Sequence, residues 1–129
     1  MNRASIELFR AEYPQWWHPV LEDFPPGWTD ILAEFFRDLD WPNSAVTQQK
    51  IWVSVHFVRS EIGPWTVFIS PAVRIKDWSD DDLRKVFQAV EKINFAMSYT
   101  CEICGHFDGR PRLQPKPERT LCEEHRHVD

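Results

Sequence analysis

Three cysteines and one histidine near the C-terminal end of this 129-residue chain carry its clearest chemistry. Cys101-Glu102-Ile103-Cys104 opens the segment and Cys122-Glu123-Glu124-His125 closes it, with seventeen residues, Gly105 to Leu121, between the pairs. A two-residue gap lets both side chains of a pair grip one ion from a single tight turn. Gly105, directly after the second cysteine, can take the positive φ that such a turn needs. Thiolates with imidazole are the ligand set of closed tetrahedral zinc sites. All three cysteines fall inside this pattern, and an odd count does not read as a disulfide framework. The spacing therefore predicts a structural zinc ion (Zn2+) held by Cys101, Cys104, Cys122 and His125. Four protein ligands close the coordination sphere, whereas catalytic zinc keeps a position open for water. His106 and His127 are rival fourth ligands, and His125 is preferred because it completes a second two-residue gap.

Three thiolates and a neutral imidazole around a divalent ion leave one net negative charge. Arg110, Arg112, Lys116, Arg119 and Arg126 lie near enough in sequence to offset it. Arg110, Arg112, Lys116 and Arg119 also define a second reading, in which the basic loop of the zinc tail contacts nucleic-acid phosphates. Glu102, Asp108, Glu118, Glu123, Glu124 and Asp129 are interspersed with these bases, so the segment has no positive surplus and charge balance around the metal is the preferred role. No Gly-x-Ser-x-Gly, phosphate-binding glycine loop or His-Glu-x-x-His is present, and every cysteine is committed to the metal, so the chain is not expected to be an enzyme.

The elements that must position the site read as α+β: N-terminal helices, a small antiparallel hairpin, a long amphipathic helix and a zinc-ribbon or knuckle-like tail. Ile6, Leu8, Phe9 and Tyr13 form a short helical pattern that Pro14 stops. After the Pro25-Pro26-Gly27 breaker, Trp28, Ile31, Leu32, Phe35 and Leu39 recur at helical spacing and predict a helix over 27–40. Residues 51–58 alternate as a strand, with Ile51, Val53, Val55 and Phe57 on one face; 65–69 make its hairpin partner, and Val73 and Ile75 extend the sheet edge. Ser79 followed by Asp80-Asp81-Asp82 starts a helix, with Leu83, Val86, Phe87, Val90, Ile93 and Met97 lining one face across the hairpin. Residues 1–98 thus form the body and 99–129 a zinc-binding tail packed on it. The tail has too few large aliphatics for a core of its own and needs a staple.

Net charge is −5, and residues 1–45, with eight acids against three bases, account for all of it. An acidic, aromatic-rich surface is poorly suited to a nucleic-acid duplex, where phosphate neutralisation dominates, and suits a basic protein partner. Trp16, Trp17, Glu22, Asp23, Asp38 and Trp41 are the candidate contacts. No apolar run is long enough to span a membrane, and no leader-like segment is evident, so cytoplasmic residence is expected.

The motifs Cys101-Glu102-Ile103-Cys104-Gly105 and Thr120-Leu121-Cys122-Glu123-Glu124-His125 give the chain a likeness to known proteins. It resembles small phage and bacterial proteins that end in CxxCG followed by Thr-Leu-Cys-x-Glu-His. Gly27-Trp28-Thr29-Asp30-Ile31-Leu32 matches the Gly-Trp-x-Asp helix start of that group, and Glu7-Leu8-Phe9 with Tyr13-Pro14 matches its opening. The resemblance implies the order helix, helix, strand pair, helix, zinc tail, and a phage or mobile-element setting, in which a small acidic inhibitor or immunity-type protein would fit. The chain departs from the group at Arg59-Ser60-Glu61-Ile62-Gly63-Pro64-Trp65 and at Pro115-Lys116-Pro117-Glu118.

Overall fold

Helix caps and proline breaks set the N-terminal half. The computed structural model describes residues 1–42, 44–49, 51–59, 65–107, 112–115 and 118–125, the side chains of 112–115, 118 and 119 excepted. Helix α1 (Arg3–Glu12) starts where the Asn2 side chain accepts from the Ser5 N–H at 2.8 Å, and it ends at Tyr13, just before Pro14. A 3-10 turn over Pro19–Asp23 follows, with His18 Nδ1 accepting from the Val20 N–H. Helix α2 (Thr29–Leu39) begins two residues later than its pattern suggests, because Pro26–Trp28 forms a separate 3-10 turn. Its buried stripe is Leu32, Phe35, Phe36 and Leu39.

Strands β1 (Val53–Arg59) and β2 (Trp65–Pro71) pair antiparallel, from Val53 opposite Pro71 to Arg59 opposite Trp65. Val53, Phe57, Trp65 and Val67 face inward and are buried. β1 starts two residues later and ends one later than its sequence suggests, and β2 runs on through Pro71. Ile51 is 52% exposed while Trp52 is 1% exposed, the reverse of the expected alternation. The pleat begins only at Val53, and Trp52 turns inward to meet the Trp78 ring edge-on at 5.2 Å. Val73 and Ile75 do not extend the edge either: Pro71 is the last rung, and Ile75–Asp77 is a 3-10 turn.

Helix α3 (Asp80–Tyr99) opens with a full capping box, in which Ser79 Oγ accepts from the Asp82 N–H and Asp82 Oδ2 accepts from the Ser79 N–H. The same carboxylate oxygen accepts from Ser44 Oγ at 2.8 Å, tying the 44–49 turn to the helix start. The buried stripe of α3 is Val86, Ala89, Ile93 and Met97, with Leu83 and Val90 half-buried. Phe87, expected on this stripe, is 57% exposed. The physical reason is the docking mode. Instead of crossing the hairpin, α3 packs mainly against α2 and lies along the outer edge of β2, where the Asn94 amide bonds both peptide groups of Val67. That rotation puts Ala89 at the close α2–α3 contact and turns Phe87 outward.

The core is aromatic. Phe24 meets Trp28, Phe57 and Trp65 edge-on at 5.1–6.2 Å, and Phe36 packs on Phe9, Tyr13, Trp16, Phe35 and Phe57. Such T-shaped contacts add to the large area these rings bury. Three helices beside an antiparallel strand pair make the fold α+β, with a Cys/His cluster near its C-terminal end.

Asp82 is fully buried, and its carboxylate serves two donors from two segments, Ser44 Oγ and the Ser79 N–H. Asp82→Ala is expected to cost about 1–3 kcal/mol in urea denaturation. Asp82→Asn, which keeps an acceptor, should cost less. Equal stability of all three proteins would show that the capping box contributes nothing.

Candidate metal centre

The site is assembled from two tight turns and the strands between them. Met97 ends the buried run of α3, and Thr100 bridges to Phe107. Between these, residues 101–105 fold into the first turn, closed by Gly105 N–H to the Cys101 carbonyl (3.0 Å) and Cys101 N–H to the His106 carbonyl (2.9 Å). Gly105 sits at φ +78°, as its place after the second cysteine predicts. Strands β3 (Arg112–Pro115) and β4 (Glu118–Leu121) form an antiparallel ribbon that returns the chain, and the His125 N–H to Cys122 carbonyl bond (3.1 Å) makes the second turn.

These turns bring the Sγ atoms of Cys101, Cys104 and Cys122 and a ring nitrogen of His125 within 4.8 Å of one another. Cys104 Sγ to Cys122 Sγ is 3.6 Å; His125 Nδ1 is 3.1 Å from Cys122 Sγ and 3.6 Å from Cys101 Sγ. Ligand bonds of about 2.0–2.3 Å in tetrahedral geometry give edges of roughly 3.3–3.8 Å, so the cluster fits a tetrahedral ion. The donor set can therefore hold a metal. His106 is exposed and lies beside the cluster, in an open depression with Cys104, Cys122, Glu123 and Glu124, and is not among the four. His127 lies outside the described residues.

Protonation at the centre is set by its backbone. Burial pushes the Cys101 thiol up, but peptide N–H groups of Cys104, Cys122 and Ile103, with the Cys122 side chain, outweigh burial and hold it at about 6. At Cys104 the His106 peptide N–H pulls down, while burial, contacts with Cys122 and Cys101 and the Cys101 charge together push the thiol up. Ionising one thiol hinders the next. A bound cation removes that conflict, because the thiolate is the ligand form.

Residues whose role the ligand spacing does not disclose hold the site to the body. Gly27 N–H donates to the Glu102 carbonyl at 2.8 Å, and Trp28 Nε1–H to the Thr100 carbonyl at 2.7 Å. The contact is backbone on backbone. A Cβ at Gly27 would stand 2.1 Å from the Cys101 carbonyl oxygen and 2.7 Å from the Gly105 nitrogen; one at Gly105 would stand 2.8 Å from the Gly27 carbonyl oxygen. Glu102 completes the clamp: its N–H donates to the Thr120 carbonyl, and its Oε2 accepts from the Thr120 N–H at 2.6 Å. The one sequence signal for this clamp is the Gly27-Trp28 motif, which stands at the docking point.

The candidate contact residues are dispersed. Trp16 is 4% exposed, stacked on both Tyr13 and Phe36, with Nε1–H bonded to the Val53 carbonyl. It is a core residue, and its expected partner role is withdrawn. Trp28, Trp52, Trp65 and Trp78 are buried as well. Asp38 is drawn into the α2–α3 seam, 3.8–4.0 Å from Lys92 and Lys85, and is already paired. Trp17 is half-buried against the core, and half-buried Trp41 lies under Lys85 Nζ at 5.5 Å. Glu22 and Asp23 are exposed, with no ion-pair partner among the described residues. Of the basic residues, Arg112 lies on β3 and Arg119 on β4, while Arg110 and Lys116 lie outside the described residues.

Comparison with family models, with curated proteins and with solved structures gives no match for this chain.

Gly27→Ala should unseat the first turn and weaken metal binding on the order of 10- to 100-fold, the range for residues that orient metal ligands. Chelator competition measures this, and an unchanged affinity would mean that the turn holds its shape without the body.

Proposed function

We propose that this chain is a non-catalytic zinc-binding protein whose metal has a structural role and whose acidic N-terminal surface engages a protein partner. The observation that carries the metal reading is the closed set of three thiolates and one imidazole at tetrahedral spacing. Zinc fits this set best, because soft thiolates with imidazole select it and four protein ligands leave no position for water. The ion staples two turns that share, among the described residues, a small apolar cluster, Cys101, Leu121 and Cys122 with Ile103 packed against it.

Support for the partner reading is narrower than the charge count alone. Glu34 and Asp38 pair with lysines of α3, and Glu7 lies 3.8 Å from Arg3. Glu12, Glu22, Asp23, Asp30 and Asp40 are exposed with no ion-pair partner among the described residues, and Glu22 and Asp23 are the adjacent pair among them. A basic protein surface is the complementary chemistry. No helix among the described residues is long and apolar enough to cross a membrane. Reduced thiols suit a cytoplasmic protein. The likeness to phage and bacterial zinc-tailed proteins supports an inhibitor or immunity-type role in a phage or mobile-element setting.

Elemental analysis with native mass spectrometry should find one zinc per chain. Cys122→Ser should lose it, with faster hydrogen exchange across 101–125. Metal-free protein with unchanged protection there would refute the structural-zinc reading. For the partner, the double variant Glu22→Lys/Asp23→Lys should lose a protein that the wild-type chain retains from nuclease-treated lysate, while keeping the same melting temperature. Equal recovery by both would place binding elsewhere.

A further inference from the structure

The three sulfurs of the cluster are not equally reachable. Cys101 is fully buried and Cys122 nearly so, whereas Cys104 is exposed. Cys104 and Cys122 both line the open depression beside the cluster, and Cys101 does not. Behind them, Cys101 Sγ is held by the peptide N–H groups of Cys104, Cys122 and Ile103. The sulfurs of Cys104 and Cys122 are 3.6 Å apart. A disulfide bond is about 2.05 Å long, so these two need to close by roughly 1.5 Å. Cys104 has the room to make that movement, because its side chain stands in solvent.

The polypeptide itself brings this pair together. Glu102 N–H donates to the Thr120 carbonyl, and Glu102 Oε2 accepts from the Thr120 N–H at 2.6 Å. Glu102 stands two residues before Cys104, and Thr120 two residues before Cys122. The clamp therefore sets the first turn against the end of β4 at matching distances from the two cysteines. It is made of protein groups alone, so the approach of Cys104 to Cys122 is not left to a metal.

We propose that Cys104 and Cys122 are an oxidisable pair, through which hydrogen peroxide exchanges the metal staple of the tail for a disulfide staple. The release of metal rests on the structural-zinc reading; the choice of pair rests on the sulfurs alone. The Cys104 thiolate attacks one peroxide oxygen. An S–O bond forms, the O–O bond breaks, and hydroxide leaves. The Cys122 thiolate then attacks the Cys104 sulfur. The S–S bond forms, the S–O bond breaks, and a second hydroxide leaves. Each sulfur has given up one electron, the peroxide has taken both, and two protons from solvent convert the hydroxides to water. Thiolate is the ligand form, so oxidation removes two of the four donors and leaves Cys101 and His125. The new bond closes the chain from 104 to 122, around the whole β3–β4 ribbon. A cross-link over a loop of this length restricts the unfolded chain, so the tail stays stapled without its ion.

The test treats the zinc-loaded full chain with hydrogen peroxide. A chromophoric chelator reads the released zinc, and non-reducing peptide mapping assigns the disulfide. The expected result is a Cys104–Cys122 bond with one zinc released per bond, and a restored site after reduction and addition of zinc. Hydrogen exchange across 101–125 should be slower in the oxidised metal-free protein than in the reduced metal-free protein. A disulfide from Cys101, the CxxC partner of Cys104, overturns the proposal, as does a bond between two chains. Zinc release with sulfinic acid in place of a disulfide overturns it, and so does retention of zinc with all three thiols intact. A chain that purifies without zinc refutes the structural-zinc reading instead. The same peptide map on that metal-free chain still decides the pair: Cys104–Cys122 upholds it, and any other pairing overturns it.

Discussion

The fold turns on one contact with no side chain between its two partners: the backbone of Gly27 against the backbone of the 101–105 turn. Its hydrogen bond to the Glu102 carbonyl is 2.8 Å long, and the space that a Cβ would fill at either glycine is already occupied by main chain. Everything downstream depends on this approach. It sets where the first ligand pair faces, and through Glu102 it sets where Thr120 and the second pair return. It also fixes the start of α2, because Gly27 belongs to the 3-10 turn that precedes that helix. Trp28, with its indole on the Thr100 carbonyl and its ring against Phe24, carries the same contact into the aromatic core. The metal turn and the core are therefore one construction.

That construction explains why a tail proposed to hold a metal is also built onto the body. Ordering a segment of this length costs backbone entropy at every residue. Against that, the described residues of the tail contribute a small buried cluster around Cys101, Leu121 and Cys122. Docking on Gly27 adds to it, and on the proposed reading metal ligation supplies the remainder. The thiols are held by peptide N–H bonds whose geometry the docking maintains, and Cys101, the most buried of the four cluster residues, is held low by those bonds against the opposing effect of burial.

The four residues of the Cys/His cluster are legible in sequence because metal-site geometry is local: two short gaps and a glycine state it almost completely. The α+β order was legible for the same reason, since the Ser79 cap, the breakers at Pro14 and Pro25-Pro26 and the alternation in β1 are all short-range signals. What failed was long-range. Nothing near Phe87 says that α3 lies along α2 and the β2 edge, and so presents Ala89 inward. Nothing near Ile51 and Trp52 announces the Trp78 ring that inverts their exposure. Tryptophans were the least legible residues. They are equally suited to an interface and a core, and only the packing shows that Trp16 stacks on Tyr13 and Phe36. Asp38 looks like a candidate partner contact in sequence because nothing near it announces the lysines that α3 places beside it.

The same long-range packing gives meaning to two residues that look incidental in sequence. A proline in a strand weakens a ladder where its nitrogen must donate, and costs nothing where it points outward; Pro71 stands opposite Val53 at an outward position. An asparagine inside a helix is a poor helix former; Asn94 repays that by acting as a single rung of a third strand for Val67, as well as bonding the Val90 carbonyl behind it. Both residues act on the same edge of a sheet that has only two. Asn94 and Pro71 act on β2, where α3 packs, while on β1 the indole of Trp16 bonds the carbonyl of fully buried Val53. The edges of the hairpin are thus set by residues distant from it in sequence.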